Sequence, residues 1–150
     1  MSDIPLLSMF IPGTAIAQGS KINYGVGKLV DQNHKKLKPW RAKVAQYFKD
    51  NWSDALKNCN AYSFGYVFYF HAPKARAKKV NRWIEEHDGE RTFPRTVKID
   101  LDKGIRAIND GFTDGTGIDD SKIYRMDACK YEIPMDEPEG VQIYVWGETI

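Results

Sequence analysis

The sequence has only two cysteines and no long apolar run, and both shortages limit what the protein can be. Cys59 and Cys129 form no CxxC pair, which favours reduced thiols in a cytoplasmic protein over a disulfide-stapled fold. No stretch approaches the run of about 18 apolar residues that suggests a membrane span, so we expect no membrane partner. Asp3 stands where an export signal needs positive charge, and no such signal is predicted.

Several catalytic motifs are also missing. The three histidines, His34, His71 and His87, form neither an HExxH motif nor a Cys/His zinc spacing. No GxSxG, Walker A or GxGxxG pattern occurs. Asp110 and Asp114 lack the D-x-D-x-D-G order of an EF-hand, and no glutamate closes such a loop. The common zinc, nucleophile-elbow, phosphate-loop and EF-hand sites are therefore not expected.

The composition instead indicates one folded domain with an uneven charge. The chain has 150 residues, of which 42% are hydrophobic and 13% aromatic, enough for a single core over residues 1–150. Its net charge is +2, but residues 21–98 hold 17 Lys and Arg against 7 Asp and Glu, a net of +10. Residues 99–150 hold 5 against 12, a net of −7. A basic region followed by an acidic one predicts a polyanion partner such as nucleic acid. The acidic residues would repel that partner unless a cation lies between them.

The hydrophobic pattern predicts both strands and helices. Aromatic residues alternate on one face of residues 62–70, which indicates a strand and favours core packing over base stacking. Apolar spacing indicates a helix from Pro39 to about Trp52 and another over residues 101–112 that faces the core. Further strands are predicted over residues 6–11, 17–24, 28–30, 121–132 and 141–146, a further helix over 74–86, and loops over 87–94 and 111–117.

Six aspartates lie between residues 100 and 120, and two interpretations of them remain open. In the first, the Asp pair at the helix start meets the pair at the next strand start and binds Mg²⁺, which typically takes one or two protein carboxylates. Arg106 then contacts a phosphate or stabilises the charge of the transition state. In the second, the same helix face is solvated. Arg106 pairs with carboxylates one turn away, Asp100 caps the helix, and Asp114 is a turn residue. The six are Asp100, Asp102, Asp110, Asp114, Asp119 and Asp120.

A basic set between residues 74 and 82 also has two interpretations. Such a set is often only a solvated helix face, but the charge split along the chain favours contact with nucleic-acid phosphates. The set comprises Lys74, Arg76, Lys78, Lys79 and Arg82.

A longer pattern runs through the acidic window. It consists of Asp100-Leu101-Asp102-Lys103, Arg106-Ala107, Asp110, Asp119-Asp120-Ser121 and Lys130. This pattern resembles the RusA family of Holliday junction resolvases. The resemblance extends in the same order to Ile11-Pro12-Gly13, Gln18-Gly19-Ser20-Lys21, Lys38-Pro39-Trp40-Arg41 and Gly140-Val141, and so covers most of the chain.

The resemblance implies a single α/β (α+β) domain with a mixed sheet that forms an intimate homodimer. It also implies an endonuclease of branched DNA in recombination and repair, with Mg²⁺, or alternatively Mn²⁺, as cofactor. Carried over by position, the metal ligands are Asp100, Asp102, Asp119 and Asp120, and the catalytic residues are Asp100, Asp102, Arg106 and Asp120. The expected DNA-contacting residues are Lys21, Lys74, Arg76, Lys78, Lys79, Lys103 and Lys130.

Three positions depart from the family pattern. Lys103 and Arg106 stand where the best-known members have Asn and Lys. An arginine does not release a proton at working pH, so charge stabilisation is the role that the resemblance leaves for Arg106. Gly104 replaces an apolar residue and should weaken the helix by up to about 1 kcal/mol relative to alanine.

We therefore predict a Mg²⁺-dependent endonuclease that resolves four-way DNA junctions by paired nicks, in a bacterial or phage-infected cell. A substrate with two-fold symmetry calls for two active sites, which a dimer supplies. One alternative is a branched- or single-stranded-DNA-binding protein that does not cut. Another is a metal-dependent nuclease with a different structural preference.

Overall fold

A computed structural model describes residues 4–19, 21–23, 29–31, 34–87 and 91–150. The strands are β1 (Leu7–Pro12), β2 (Lys21–Asn23), β3 (Leu29–Asp31), β4 (Ala61–His71), β5 (Phe93–Pro94), β6 (Ile123–Ile133) and β7 (Gly140–Glu148). The helices are α1 (His34–Asn51), α2 (Asp54–Lys57), α3 (Ala77–Glu86) and α4 (Leu101–Thr116), with single 3₁₀ turns at Lys74–Arg76 and Asp120–Lys122.

Five strands form one mixed sheet in the order β1-β7-β4-β6-β5. The central strand β4 pairs parallel with β6 and antiparallel with β7, and the outer strands are antiparallel to their neighbours. The short strands β2 and β3 form a separate antiparallel hairpin. The predicted combination of a mixed sheet with helices is confirmed.

Aromatic residues on β4 form the centre of the core. Tyr62, Phe64, Tyr66 and Phe68 are each only 1% exposed, as the alternating pattern predicts. Phe64 stacks on Phe48 of α1 with ring centroids 6.0 Å apart. The core interpretation of this aromatic face is therefore confirmed, and these four rings are not accessible for base stacking.

Helix α1 begins earlier than the sequence analysis predicted. Pro39 was expected in the first turn, but the helix starts at His34 and Pro39 lies inside it. Leu37 explains the difference, because it is buried with Trp40 and extends the apolar stripe by one turn towards the N-terminus. Burial of that extra turn offsets the backbone hydrogen bond that the proline lacks.

Helix α4 continues through the segment that was predicted to be a loop over residues 111–117. Gly111 and Gly115 lie inside the helix, and the backbone leaves it only at Gly117, where φ is +75°. A Cβ on Gly111 would lie 2.5 Å from Val44 Cγ1, and one on Gly115 would lie 2.2 Å from the Ala45 carbonyl oxygen. These two glycines therefore permit a close approach of α4 to α1 and do not form a turn.

The remaining predicted elements are found with shifted bounds, since α3 begins at Ala77 after a 3₁₀ turn and β6 begins at Ile123. Residues 17–19 form no strand, and the Gln18 amide instead donates a hydrogen bond to the Lys103 carbonyl of α4 at 3.2 Å. The expected loop over 87–94 contains the two-residue strand β5, and residues 20, 24, 28 and 88–90 of the predicted elements lie outside the described residues. Cys59 and Cys129 are free thiols, as predicted. In the described part of the chain, no helix is long and apolar enough to cross a membrane.

Candidate active site

The first turn of α4 presents two carboxylates to solvent. Asp100 occupies the N-cap position with extended backbone angles, but its side chain accepts no capping hydrogen bond. Its carboxylate is 69% exposed and lies 4.0 Å from the Lys103 ammonium, and Asp102 is also exposed. The predicted position of Asp100 is confirmed, while the predicted capping bond does not form. Both carboxylates are accessible to a ligand from solution.

Gly104 fixes the place of this turn against the sheet. A Cβ at Gly104 would lie 2.9 Å from Ile99 Cδ1 and 3.2 Å from Phe68 Cε1. The glycine that departs from the family pattern thus permits close packing on Ile99 and Phe68, which a Cβ would have to displace, and this packing offsets its poor helix propensity. The turn that carries Asp100 and Asp102 rests directly on the core.

The second aspartate pair lies beyond the other end of α4. Asp119 accepts a hydrogen bond from the Ser121 amide at 2.8 Å, and this bond lowers the pKa of Asp119. Asp120 is exposed and opens the 3₁₀ turn that leads into β6.

The two pairs flank α4 in sequence, but the chain turns back after Gly117. The 3₁₀ turn that Asp120 opens packs against α4, and the charge of Asp120 contributes to the raised pKa of Asp110 in the second half of the helix. That the two pairs meet stays a prediction. Among the described residues, no three His, Cys, Asp or Glu side chains are grouped to hold a metal ion.

The donor chemistry still fits a hard divalent cation. Mg²⁺ binds oxygen ligands and typically keeps several waters, so one or two carboxylates suffice. Asp100 and Asp102 supply such donors at one end of α4, and Asp119 and Asp120 supply them at the other. Each pair can act as a ligand set.

Arg41 of α1 binds the aspartates in the second half of α4. Its Nε and Nη2 donate to the Asp114 carboxylate at 2.5 and 3.0 Å, and its Nη1 lies 3.6 Å from Asp110 Oδ2. Asp114 is therefore a helical residue in an ion pair, and its assignment as a turn residue is wrong. The sequence analysis noted Arg41 only as part of the family resemblance, although Asp110 and Asp114 lie one turn apart on one helix face.

Arg106 is exposed on α4, one turn from Asp102 and from Asp110. Within the described residues, it forms no salt bridge at 4.0 Å or less, so the two predicted i,i+4 pairs are absent. Burial raises the pKa of Asp110, and Arg41 opposes this increase more strongly than Arg106 does. The guanidinium of Arg106 is thus available to a phosphate.

A buried polar contact links α4 to the sheet beside these residues. The Tyr66 hydroxyl donates to Asn109 Oδ1 at 2.6 Å, and the Asn109 amide reaches Met126 Sδ at 3.6 Å. Burial raises the pKa of Tyr66, so this phenol stays protonated. Neither Tyr66 nor Asn109 was predicted as a polar contact, since each lies within an otherwise apolar pattern.

The predicted DNA-contacting residues fall into three groups. Lys74, Lys78 and Lys79 are exposed on and before α3. Lys103 is partly exposed beside Asp100, and the side chain of Lys21 lies outside the described residues. The other two have partners within the protein, which the sequence analysis missed. Arg76 lies 2.5 Å from the fully buried Glu132, and the Lys130 ammonium donates to the carbonyls of Val97 and Ile99 at 2.7 and 2.6 Å.

Comparison with known proteins gives one match. A family model described as Endodeoxyribonuclease RusA matches residues 12–145. The match includes both aspartate pairs, Arg106 and the whole of strands β4, β5 and β6. No curated protein and no solved structure shows a significant match to the chain.

Proposed function

Because the chain belongs to the RusA family of endodeoxyribonucleases, we propose that it is a divalent-metal-dependent nuclease that resolves four-way DNA junctions by paired nicks. The observation that carries this proposal is the family match over residues 12–145. The aspartates of both pairs and Arg106 are exposed, and the helix that carries Arg106 packs against the core. Phosphodiester cleavage needs charge stabilisation at the phosphate, which these groups supply.

Asp100 and Asp102 are the proposed ligands for the cation. Both side chains are exposed, and the close packing at Gly104 fixes their backbone. Mg²⁺, or Mn²⁺ in its place, supplies an activated water and charge neutralisation when bound. Arg106 lies one turn further along α4 and donates to a non-bridging oxygen of the phosphate. Lys103, partly exposed beside Asp100, contacts the neighbouring backbone phosphate.

Exposed lysines on and before α3 provide the proposed electrostatic attraction to the DNA arms. Contacts of this kind position a duplex without reading its sequence. Lys74, Lys78 and Lys79 have exposed side chains, whereas Arg76 and Lys130 are held by internal partners. We therefore restrict the phosphate-contacting set on this region to those three lysines.

A homodimer completes the proposal. A four-way junction has two-fold symmetry, so paired nicks require two active sites related in the same way. A second copy of the chain supplies the second active site.

The direct test is cleavage of a labelled synthetic four-way junction by the purified protein, with and without Mg²⁺. We expect paired nicks that depend on the cation. Asp102→Asn, which removes a ligand, should lower the cleavage rate at least 100-fold (about 2.7 kcal/mol) and leave junction binding in Ca²⁺ intact. Asp54→Asn is the matched control, because its side chain is 95% exposed on α2 and away from α4.

The alternatives give different results in the same assay. Tight binding without any cleavage by the wild-type protein identifies a branched-DNA-binding protein and contradicts the proposal. Equal cleavage of linear duplex, flap and four-way substrates identifies a nuclease with another structural preference. Wild-type rates in Asp102→Asn would remove that residue from the site.

A further inference from the structure

Lys130 contacts the segment of chain that leads into α4. Its ammonium donates hydrogen bonds to two carbonyl oxygens, those of Val97 at 2.7 Å and Ile99 at 2.6 Å. Its own carbonyl accepts a hydrogen bond from the Arg95 amide at 3.1 Å. Three hydrogen bonds thus join Lys130 to every second residue of the segment 95–99, which leads into α4.

This segment ends at the first proposed metal ligand. Ile99 is covalently joined to Asp100, whose carbonyl accepts the first hydrogen bond of α4 from the Gly104 amide at 3.0 Å. The Ile99 side chain also packs against Gly104, since a Cβ added to that glycine would lie 2.9 Å from Ile99 Cδ1. A shift of Ile99 would therefore move the turn that carries Asp100 and Asp102 in two ways, through the peptide bond to Asp100 and through the contact with Gly104.

The position of Lys130 in the sheet places it beside the start of α4. Lys130 is opposite Phe68 in the register of β6 with β4, and a Cβ at Gly104 would lie 3.2 Å from Phe68 Cε1. The helix turn therefore packs on β4 at the position where β6 carries Lys130. An ammonium group has three donors, and two of them are used here by backbone carbonyls.

We propose that Lys130 is a positioning residue, which holds the start of α4 through the carbonyls of Val97 and Ile99 so that Asp100 and Asp102 keep a fixed place. The proposal rests on the proposed function, since it assigns Lys130 to the same site. It replaces the DNA contact that the sequence suggested for this lysine. Displacement of a reacting group by about 1 Å can lower a rate 100-fold, so a clamp of this kind affects the chemical step.

The test compares Lys130→Met with Lys57→Met. Both changes remove one positive charge, but Lys57 is 63% exposed on α2, where its ammonium bonds the neighbouring Asp54. For each protein we measure amide hydrogen exchange, junction affinity against salt concentration in Ca²⁺, and single-turnover cleavage at saturating DNA in Mg²⁺. Lys130→Met should exchange faster at Gly104, cleave at least tenfold more slowly and bind the junction with unchanged affinity.

Other outcomes overturn the proposal in distinguishable ways. A weaker affinity with a salt slope lowered by about one, and unchanged exchange at Gly104, would assign Lys130 to a DNA phosphate. Faster exchange throughout β4 and β7 would mean a general role in stability. If the wild-type protein cuts no DNA, the proposed function fails, while the exchange at Gly104 still decides whether Lys130 holds the start of the helix.

Discussion

Gly115→Ala should destabilise the protein although alanine is the better helix former. The new Cβ would lie 2.2 Å from the Ala45 carbonyl oxygen, whereas an ordinary contact begins near 3.4 Å, so α1 and α4 must separate by about 1.2 Å (3.4 − 2.2). No side-chain rotation relieves this contact, because the atom that is struck belongs to the backbone. Because the backbone itself must move, overpacking here lies in the upper part of its usual range, about 2–3 kcal/mol, and the gain in helix propensity offsets at most about 1 kcal/mol.

Urea and thermal unfolding measure the effect. A net loss of about 1–2 kcal/mol corresponds to a fall in Tm of roughly 2–8 °C for a domain of this size. Gly117→Ala is the control, since nothing lies within 4 Å of its Cβ and its cost comes only from a φ of +75°. Gly117→Asn should recover part of that cost, because Asn tolerates this region. If Gly115→Ala is as stable as the wild type, the close approach of α1 and α4 is refuted.

Three further outcomes follow from the contacts described above. Arg106→Ala should stay folded and cut at least 100-fold more slowly, and Arg106→Lys should be intermediate because a lysine cannot form the planar bidentate contact. Single-turnover rates and sedimentation measure these effects, and normal cleavage by the Ala variant would contradict the role of Arg106. The double variant Lys78→Ala/Lys79→Ala should bind DNA of every shape more weakly, and the slope of log K against log salt concentration should fall by up to about two. An unchanged slope would show that neither lysine contacts the DNA. Glu132→Gln leaves the Arg76 charge without its buried partner and should lower the free energy of unfolding by about 3 kcal/mol in urea titrations; a loss below about 1 kcal/mol would show that the pair behaves as a surface pair.

The elements that the sequence predicts well are those whose own side chains decide their structure. The alternation in β4 places an aromatic side chain in the core at every second residue, so the strand and its buried face follow from the pattern alone. The glycines of α4 are different. Gly111 and Gly115 give the same signal as a turn, and only the approach of Val44 and Ala45, distant in sequence, reveals a helix packed against another helix.

For the candidate site, the sequence predicts the types of residue that are present, but it does not predict the distances between them. The aspartates and Arg106 follow from the sequence pattern, which also indicates oxygen ligands for a hard cation. Their separation does not follow, because it depends on where α4 ends. The partners of Arg76 and Lys130 were missed for a related reason. A cation on a strand or a short helix gives no sign of whether it faces a buried carboxylate, backbone carbonyls or solvent.

The order of strands in the sheet has a consequence for how the chain folds during synthesis. Strand β7 lies between β1 and β4, yet it is made after both of them. Until residues 140–148 leave the ribosome, β1 has no neighbour in the sheet and β4 lacks its antiparallel partner. The aromatic surface of β4 is therefore left on an incomplete sheet until β7 has been made, and the core closes as a unit only then. A polypeptide that stops before Gly140 should be held by chaperones or degraded, even though both aspartate pairs and Arg106 have already been synthesised.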